Sequence, residues 1–223
     1  MEFEEFVLVA SVTDLAAERR ARDHADAVEF RMDLSEGPQS DVESYDGELP
    51  ILATNRAAWE GGEAADDHAR LDALAEVAEH PAVEAIDVEL RSLVSGEADE
   101  VVGRARDHGV SIVASVHDFE TTPSTMEMRG KLQLATRRGD VGKLAVTAHD
   151  RSDVLDLLTV TDQLDGAGER VATMAMGEAG RHSRAVAPLY GSKIGYAPVE
   201  SEDATAPGQY DLETLAGLVE QLE

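Results

Sequence analysis

The sequence predicts an α/β barrel of eight strand–helix units, forming a single domain over residues 1–223. Short strand-like runs alternate with Ala-, Leu- and acid-rich stretches at helical spacing, which is typical of parallel strands joined by crossover helices. A doubly wound open sheet is the competing architecture. The barrel is favoured because no G-x-G-x-x-G or phosphate-binding loop opens a helix. Polar residues also recur at two-residue spacing inside several strands, which indicates a polar barrel interior.

Each element follows from its local pattern. Apolar, β-type runs predict strands at 6–12, 27–34, 50–56, 82–90, 109–119, 141–148, 170–177 and 192–198. The stretches between them predict helices at 63–79, 92–107, 124–138, 150–164 and 210–222. Thr13 and Asp14 offer a polar cap for the first helix, and Gly109 and Gly168 stand where helices end before the next strand. Residues 35–49 are weak as a helix and are predicted to be mostly irregular.

Composition places the chain among globular proteins and excludes several chemistries. A length of 223 residues with 43% hydrophobic residues suits one core of good size. No apolar run approaches the length of a membrane span, and the start MEFEEFVLVASV has no basic region, so we expect a cytoplasmic protein. The chain has no cysteine, which excludes disulfides, thiolate metal sites and cysteine nucleophiles.

The net charge of −27 is extreme. An acidic surface repels nucleic acid and anionic lipid, so neither a nucleic acid nor a membrane is an expected partner. Regular apolar segments argue against disorder, and we interpret the charge as adaptation of a folded protein to high salt. Arginine greatly outnumbers lysine, which occurs only at positions 131, 143 and 193. A lysine kept in such a chain is therefore a stronger functional candidate than usual.

Polar side chains alternate with apolar ones inside three predicted strands. Residues two apart on a strand share a face. The sets that share a face are Glu29 with Arg31 and Asp33, Asp87 with Glu89, and Ser115 with His117. Because helices cover the outer face of a βαβ sheet, these side chains are predicted to face the barrel interior, where polar groups usually mark a site.

Lys143 is the sharpest candidate, because it lies within an apolar strand. Burial and neighbouring cations favour the neutral, nucleophilic form of a lysine amine, which attacks ketones and aldehydes to give a Schiff base. An ion-paired lysine at a strand start is the alternative. Lys131, in a helical stretch, is interpreted as a surface residue, whereas Lys193 at the start of the last strand stays open.

His117 is the histidine that falls at the C-terminal end of a strong strand, where barrel active sites are built. It is the candidate proton shuttle. A metal site formed by the interior carboxylates and His117 is the rival interpretation. It is disfavoured because Arg31, Arg56 and Lys143 would repel a cation, and because the spacings match no specific metal motif.

With these residues in place, the chain resembles the type I 3-dehydroquinate dehydratases of the shikimate pathway. Each matching segment is short, but their order and spacing together are highly specific. The segments are Glu-Phe-Arg-Met-Asp (29–33), Thr-Asn-Arg (54–56), Trp-Glu-Gly-Gly (59–62), Asp-Val-Glu (87–89), Ser-Val-His-Asp-Phe (115–119), Lys143, Met-Gly-Glu-Ala-Gly-Arg-His-Ser-Arg (176–184) and Ala-Pro-Gly-Gln (206–209). The stretch 193–196 departs most from the family pattern.

The resemblance implies a role for each matching residue. Lys143 resembles the Schiff-base lysine and His117 the acid–base histidine, and Glu60 and Asp87 resemble the carboxylates that orient this histidine. The residues that resemble substrate-binding positions are Ser11, Glu29, Arg31, Arg56, Met174, Met176, Arg184, Thr205 and Gln209. Among these, Arg184 is expected to clamp a carboxylate, the two methionines fit an apolar wall or the core, and Thr205 stands where the family commonly has serine.

The implied reaction is a syn elimination of water from 3-dehydroquinate, giving 3-dehydroshikimate for aromatic amino-acid and chorismate biosynthesis. The family uses no cofactor and no metal, and its members are often homodimers. Two alternatives stay open. A class I aldolase or transaldolase also uses a barrel lysine imine, and a phosphate site near strands seven and eight would favour it. A catalytically inactive barrel that binds a small acid or a protein is the non-enzyme alternative.

Overall fold

The computed structural model describes residues 1–203 and 208–222, and within them eight parallel strands form a nearly closed barrel. The strands are β1 (Val7–Val12), β2 (Ala27–Arg31), β3 (Ile51–Thr54), β4 (Val83–Glu89), β5 (Ser111–Asp118), β6 (Val141–Thr147), β7 (Val171–Met176) and β8 (Ile194–Pro198). Each strand pairs with its sequence neighbour from β1 to β7, and β8 pairs with β1. The seam between β7 and β8 is closed by the Lys193 N–H, which donates to the Val171 carbonyl at 2.8 Å. The predicted barrel is confirmed.

Helices and short 3₁₀ turns connect the strands. The helices are α1 (Glu18–Ala21), α2 (Pro38–Glu43), α3 (Asp67–Val77), α4 (Leu90–Ser95), α5 (Asp99–Asp107), α6 (Thr125–Thr136), α7 (Arg151–Asp165), α8 (Gly177–Gly180), α9 (Ser183–Val186) and α10 (Leu212–Leu222). The 3₁₀ turns are Leu15–Ala17, Met32–Leu34, Ala58–Glu60, Ala187–Tyr190 and Ser201–Asp203. No helix in these two described segments is long and apolar enough to cross a bilayer.

Capping side chains set where several helices begin. Asp150 accepts hydrogen bonds from backbone N–H groups at the start of α7, and Asp153 bonds back to complete a capping box. Ser124 and Glu127 form the same arrangement at the start of α6. Each cap satisfies N–H groups that have no partner within the helix, so the loop preceding each helix is held in one conformation.

The two faces of the sheet separate the apolar core from the polar site. On β6, Leu144 and Val146 point outwards and pack in one buried cluster with residues of α6 and α7. Val141 and Ala145 point inwards and belong to a second cluster inside the barrel. Lys143 lies between them on the inner face, so strand alternation alone sends this lysine into the interior.

The elements differ from the prediction in three places. The helix predicted over 92–107 is two helices, α4 and α5, separated at Gly96. The segment 35–49, predicted to be mostly irregular, contains the short helix α2. Strand β2 ends at Arg31 because the next residues form a 3₁₀ turn, so Asp33 does not continue the strand alternation. It reaches Arg31 instead through a bidentate ion pair, with Arg31 Nη2 2.7 Å from Asp33 Oδ2.

Candidate active site

A cavity lies at the C-terminal ends of the strands, which is where barrel enzymes place their active sites. Strand register brings its polar residues side by side. Ser11 on β1 is level with Glu29 on β2, and Ser115 on β5 is level with Lys143 on β6. The cavity is lined by Ser11, Glu29, Arg31, Thr54, Arg56, Glu60, Gly61, His117, Phe119, Lys143, Ala145, Met174, Met176, Arg184, Tyr196 and Gln209.

Lys143 is held by a carboxylate and an aromatic ring. Its side chain is buried, with the residue 4% exposed. The Nζ lies 2.9 Å from Asp87 Oδ2 and 4.0 Å from Glu29 Oε1. It also lies 4.0 Å from the centroid of the Tyr196 ring. These contacts hold the amine in one place at the base of the cavity, where a carbonyl carbon could reach it.

A buried network of charges lies beneath the lysine. Arg56 bridges two carboxylates, with Nη2 2.7 Å from Asp87 Oδ1 and Nη1 3.0 Å from Glu89 Oε1. Ser115 donates to Asp87 Oδ1 at 2.5 Å. Burial by itself raises the pKa of the Asp87 carboxyl, but the charges of Arg56 and Lys143 outweigh it and hold the pKa well below its usual range. Asp87 is therefore a fixed anion that compensates the buried cations.

Arg70 extends this network to helix α3. Its Nη1 donates to Glu89 Oε2 at 2.7 Å, and its Nη2 donates to Ser92 Oγ at 3.0 Å. One carboxylate oxygen of Glu89 thus contacts Arg56, and the other contacts Arg70. Because every buried charge in this chain of contacts has a partner of opposite sign, the network positions Arg56 without leaving an isolated ion in the core.

His117 lies near the end of β5 against Glu60. Its Nδ1 is 3.0 Å from Glu60 Oε1, and its backbone N–H donates to the same oxygen at 3.0 Å. The Phe119 ring stacks on the imidazole at a centroid distance of 5.8 Å. Burial lowers the pKa of His117 well below its usual value, and the positive charges of Arg56 and Lys143 lower it further. The imidazole is thus neutral at pH 7, with Nδ1–H directed to Glu60 and Nε2 able to accept a proton.

Glu60 owes its position to the turn that precedes it. The 3₁₀ turn Ala58–Glu60 ends at Gly61, whose φ is 81°. A Cβ at Gly61 would lie 2.4 Å from Cζ of Phe119, so only glycine lets the turn approach the ring that stacks on His117. Burial raises the pKa of Glu60 to about 7, with the Arg56 charge opposing the rise. The Glu60 carboxyl therefore titrates close to neutral pH.

Arg184 is a buried cation on helix α9. It is 5% exposed, and its Nε has no hydrogen-bond partner within residues 1–203 and 208–222. No acidic side chain of those segments forms an ion pair with it. Burial lowers the pKa of Arg184 to about 10, which still leaves the guanidinium charged at neutral pH. An unpaired buried cation that lines a cavity is suited to an anionic ligand.

Hydroxyl and apolar groups complete the wall. Glu29 is buried and accepts hydrogen bonds from Ser11 Oγ at 2.7 Å and from Thr54 Oγ1 at 3.0 Å. Met174 and Met176 on β7 are buried within the interior cluster and line the cavity as well. Each of these methionines is therefore part of the core and also part of the cavity wall.

The structure places most of the predicted residues in the same cavity. Those that line it are Ser11, Glu29, Arg31, Arg56, Glu60, His117, Lys143, Met174, Met176, Arg184 and Gln209. Asp87 was expected to orient His117, but its hydrogen bonds and ion pairs go to Lys143, Arg56 and Ser115. Glu60 is the carboxylate that contacts His117. Thr205 lies outside the described residues.

The two other lysines lie away from this cavity. Lys131 is 39% exposed at its side chain, and its Nζ lies 3.9 Å from Asp118. Lys193 precedes β8 and pairs with Asp165 at 2.9 Å. The start of β8 is at the end of the barrel opposite the cavity. The ion pair of Lys193 therefore lies beside the seam between β7 and β8 and takes no part in the cavity.

Sequence reasoning assigned no site role to five lining residues, which are Thr54, Gly61, Phe119, Ala145 and Tyr196. Tyr196 lies on β8, Thr54 ends β3 and Phe119 follows β5. For Tyr196 the signal was present, because residues 194, 196 and 198 alternate along the last strand and one face of every strand is interior. For Phe119 no local pattern marks the contact, since it depends on the turn that contains Glu60.

Fold and site together define an α/β barrel enzyme. One cavity holds a buried lysine, a neutral histidine and an arginine that has no acidic partner among residues 1–203 and 208–222. Residues 6–223 match the family model for type I 3-dehydroquinase. The 3-dehydroquinate dehydratase of Haloarcula marismortui is 55% identical over 227 residues, covering 100% of this chain and 99% of that protein. The 3-dehydroquinate dehydratase of Halobacterium salinarum is 51% identical over 226 residues and covers 100% of both chains.

A solved structure of type I 3-dehydroquinate dehydratase from Clostridium difficile, with covalently modified comenic acid, superimposes with a TM-score of 0.86 at 26% identity. The match covers 98% of this chain and 92% of that one. The chain belongs to the type I 3-dehydroquinase family. It is a hydro-lyase of the shikimate pathway, which confirms the resemblance and sets aside the aldolase and the inactive barrel.

Proposed function

We propose that this chain dehydrates 3-dehydroquinate to 3-dehydroshikimate through a Schiff base at Lys143, with His117 as the general acid and base. The observation that supports the proposal is the shared cavity. A buried lysine amine, a neutral imidazole and a guanidinium with no acidic partner in the described part of the chain line the same space. These are the groups that carbonyl capture, proton transfer and carboxylate binding each require.

Imine formation is the first step. The amine of Lys143 adds to the C3 ketone, and the ketone oxygen leaves as water. Counted from the lysine ammonium, ketone and ammonium give an iminium ion and one water, with no net change in protons. Asp87, 2.9 Å from Nζ, remains ionised and stabilises the positive charge of the iminium nitrogen.

Proton transfer by His117 follows. The iminium draws electrons from C2 and acidifies its proton, which Nε2 of the neutral imidazole accepts. The electron pair of the C–H bond forms an enamine. The enamine then expels the C1 hydroxyl, which takes the proton from His117 and leaves as water. A single base on one side of the substrate serves both steps, which accounts for an overall syn elimination.

Substrate recognition is assigned to the remaining lining residues. The carboxylate of 3-dehydroquinate binds Arg184, whose charge has no partner in the described part of the chain. Arg31, Arg56, Glu29 and Ser11 face the hydroxylated part of the ring, and Met174 and Met176 form the apolar wall. Gln209 covers the substrate from the segment before α10, with Thr205 in the same segment. Water exclusion by this cover strengthens the electrostatic contacts inside the cavity.

Two finer expectations stay predictions. The homodimer rests on the family resemblance, and the cytoplasmic location is an expectation of the same kind. Sedimentation equilibrium tests the first, and cell fractionation tests the second.

The imine is tested by chemical trapping. The protein is incubated in high salt with 3-dehydroquinate and reduced with borohydride, and the adduct is mapped by mass spectrometry. We expect the adduct on Lys143. In Lys143→Ala the adduct should vanish, and turnover, followed as enone absorbance, should fall on the order of 10⁴-fold or more. Lys131→Ala, at an exposed lysine, is the matched control and should react like the unaltered protein. Near-normal turnover by Lys143→Ala would exclude the mechanism.

A further inference from the structure

Tyr196 is a side chain in the cavity to which the proposed mechanism gives no task. It lies on β8, is 4% exposed and lines the same space as Lys143. The Lys143 Nζ lies over its ring, 4.0 Å from the centroid. An ammonium or iminium nitrogen in this position is stabilised by the face of the ring, so Tyr196 touches the reacting nitrogen throughout the cycle.

The hydroxyl of Tyr196 is buried and makes no hydrogen bond within the two segments that the structure describes. Buried hydroxyls are nearly always satisfied, because an unsatisfied one destabilises the fold. Burial holds the pKa of Tyr196 well above its usual value, and the negative charges of Glu29 and Asp87 raise it further. The group is therefore a protonated phenol that can donate one hydrogen bond and accept others.

The hydroxyl of Tyr196 belongs to the ring that contacts the lysine, but it forms no hydrogen bond with the amine. Two polar groups that make no direct hydrogen bond can be bridged by one water molecule. Water also reacts beside this nitrogen, because one molecule leaves from the carbon bonded to Nζ when the imine forms and one adds to the same carbon when the imine is hydrolysed.

We propose that Tyr196 is a positioning residue that binds, through its hydroxyl, the water molecule released and consumed at the Lys143 imine. The inference rests on the proposed Schiff-base function. It gives this residue a part in making and breaking the imine, and none in the proton transfers of His117.

The step balances with no added reactant. In formation, the C–N bond forms, the C–O bond breaks, and the oxygen leaves with two protons that were on the lysine nitrogen. Tyr196 donates a hydrogen bond to this departing oxygen and retains its own proton overall. Hydrolysis is the reverse, with the same hydroxyl holding the water beside the iminium carbon. Because the hydroxyl acts in both directions, it changes the two rates and leaves the imine equilibrium unchanged.

The test substitutes Tyr196→Phe, which removes the hydroxyl and keeps the ring. The unaltered protein and the variant are incubated with 3-dehydroshikimate in ¹⁸O-labelled water, and labelling of its ketone oxygen is followed by mass spectrometry. Each exchange needs one imine formation and one hydrolysis. We expect Tyr196→Phe to slow enzyme-dependent exchange roughly tenfold, as for the loss of one good hydrogen bond. Tyr190→Phe, on the partly exposed turn before β8, is the matched control and should exchange at the normal rate.

The second measurement separates positioning from a packing defect. The fraction of enzyme trapped as imine by borohydride at saturating 3-dehydroshikimate should stay within twofold of normal in Tyr196→Phe. The melting temperature should not fall, because Tyr196→Phe keeps the buried ring and removes a hydroxyl that forms no hydrogen bond within the described segments. Exchange within twofold of normal would overturn the inference, and so would slower exchange with an equal loss of trapped imine. Absence of any adduct in the unaltered protein would overturn the Schiff-base function itself.

Discussion

At the scale of single residues, the site is organised by the balance between burial and charge. Asp87 and His117 are both buried, but the cations beside them keep the first ionised and the second neutral. Burial raises the pKa of Glu60 to about 7, because the opposing charge of Arg56 does not fully offset it. A neutral base, a permanent anion and a carboxyl that titrates near pH 7 therefore coexist within one cavity.

The Glu60–His117 contact predicts the pH dependence of activity. Lowering the pH through 7 protonates Glu60 and removes the carboxylate that accepts Nδ1–H of His117, so kcat/KM should fall on the acid side with a midpoint near pH 7. Glu60→Gln keeps a hydrogen-bond acceptor but lacks the negative charge, so kcat/KM should be lower at every pH and the acid limb that the ionisation of Glu60 produces should disappear.

The pH profile of kcat/KM for the two proteins checks this prediction. Glu63→Gln, at an exposed acid near the same loop, is the matched control and should keep the normal midpoint. An acid limb that stays in place in Glu60→Gln would show that another group controls it.

At the scale of elements, the cavity depends on how the chain leaves the barrel after β8. Residue Gly208 has a φ of 78°, and a Cβ there would lie 2.5 Å from the carbonyl oxygen of Gly177 at the end of β7. The Arg181 guanidinium stacks on the ring of Tyr210 at 4.2 Å. These two contacts fix the segment on either side of Gln209 against α8, and so they carry Gln209 to the mouth of the cavity.

Gly208→Ala is expected to weaken substrate binding without unfolding the barrel. The added methyl forces the two backbones apart and displaces Gln209, so KM for 3-dehydroquinate should rise roughly tenfold. Gly168→Ala is the matched control, because its φ of 82° gives the same backbone strain while a Cβ there meets no atom within 4 Å. Steady-state kinetics compare the KM values of the two variants, and circular dichroism spectra check that both variants are folded. Equal KM values for Gly208→Ala and Gly168→Ala would show that Gly208 is not needed to position Gln209.

At the scale of the whole molecule, a net charge of −27 surrounds a site that contains several cations. Long-range repulsion between surface acids destabilises the compact state at low salt. The Debye length falls from about 10 Å at 0.1 M to about 3 Å at 1 M salt, so concentrated salt removes most of this repulsion. The interior ion pairs are buried and are screened far less.

The melting temperature is therefore expected to rise by several degrees between 0.1 M and 2 M KCl. Neutralising four exposed acids on α7 and α10 should raise stability at 0.1 M and flatten the salt dependence. The substitutions are Asp156→Asn, Asp162→Asn, Glu213→Gln and Glu220→Gln. Thermal unfolding in a KCl series provides the measurement. A melting temperature independent of salt in the unaltered protein would contradict the adaptation to high salt.

Much of the site was predictable because strand alternation is a local property. Lys143 and His117 lie on strands whose period of two sends them inwards whatever the neighbouring strands do. Arg31 and Asp33 were placed on one strand face, and the prediction failed at Asp33 because a 3₁₀ turn ends the strand first. Gly96 likewise divides one predicted helix into two.

The sequence by itself determined the eight strand–helix units, the inward-facing polar residues and the family, because periodicity and motif spacing are written along the chain. Only the tertiary structure decided which charges meet. It placed Asp87 against Lys143, left Arg184 without an acidic partner in the described segments, and put the ring of Tyr196 beneath the reacting nitrogen. These contacts join strands far apart in sequence, so they depend on barrel closure and register, which no local pattern encodes.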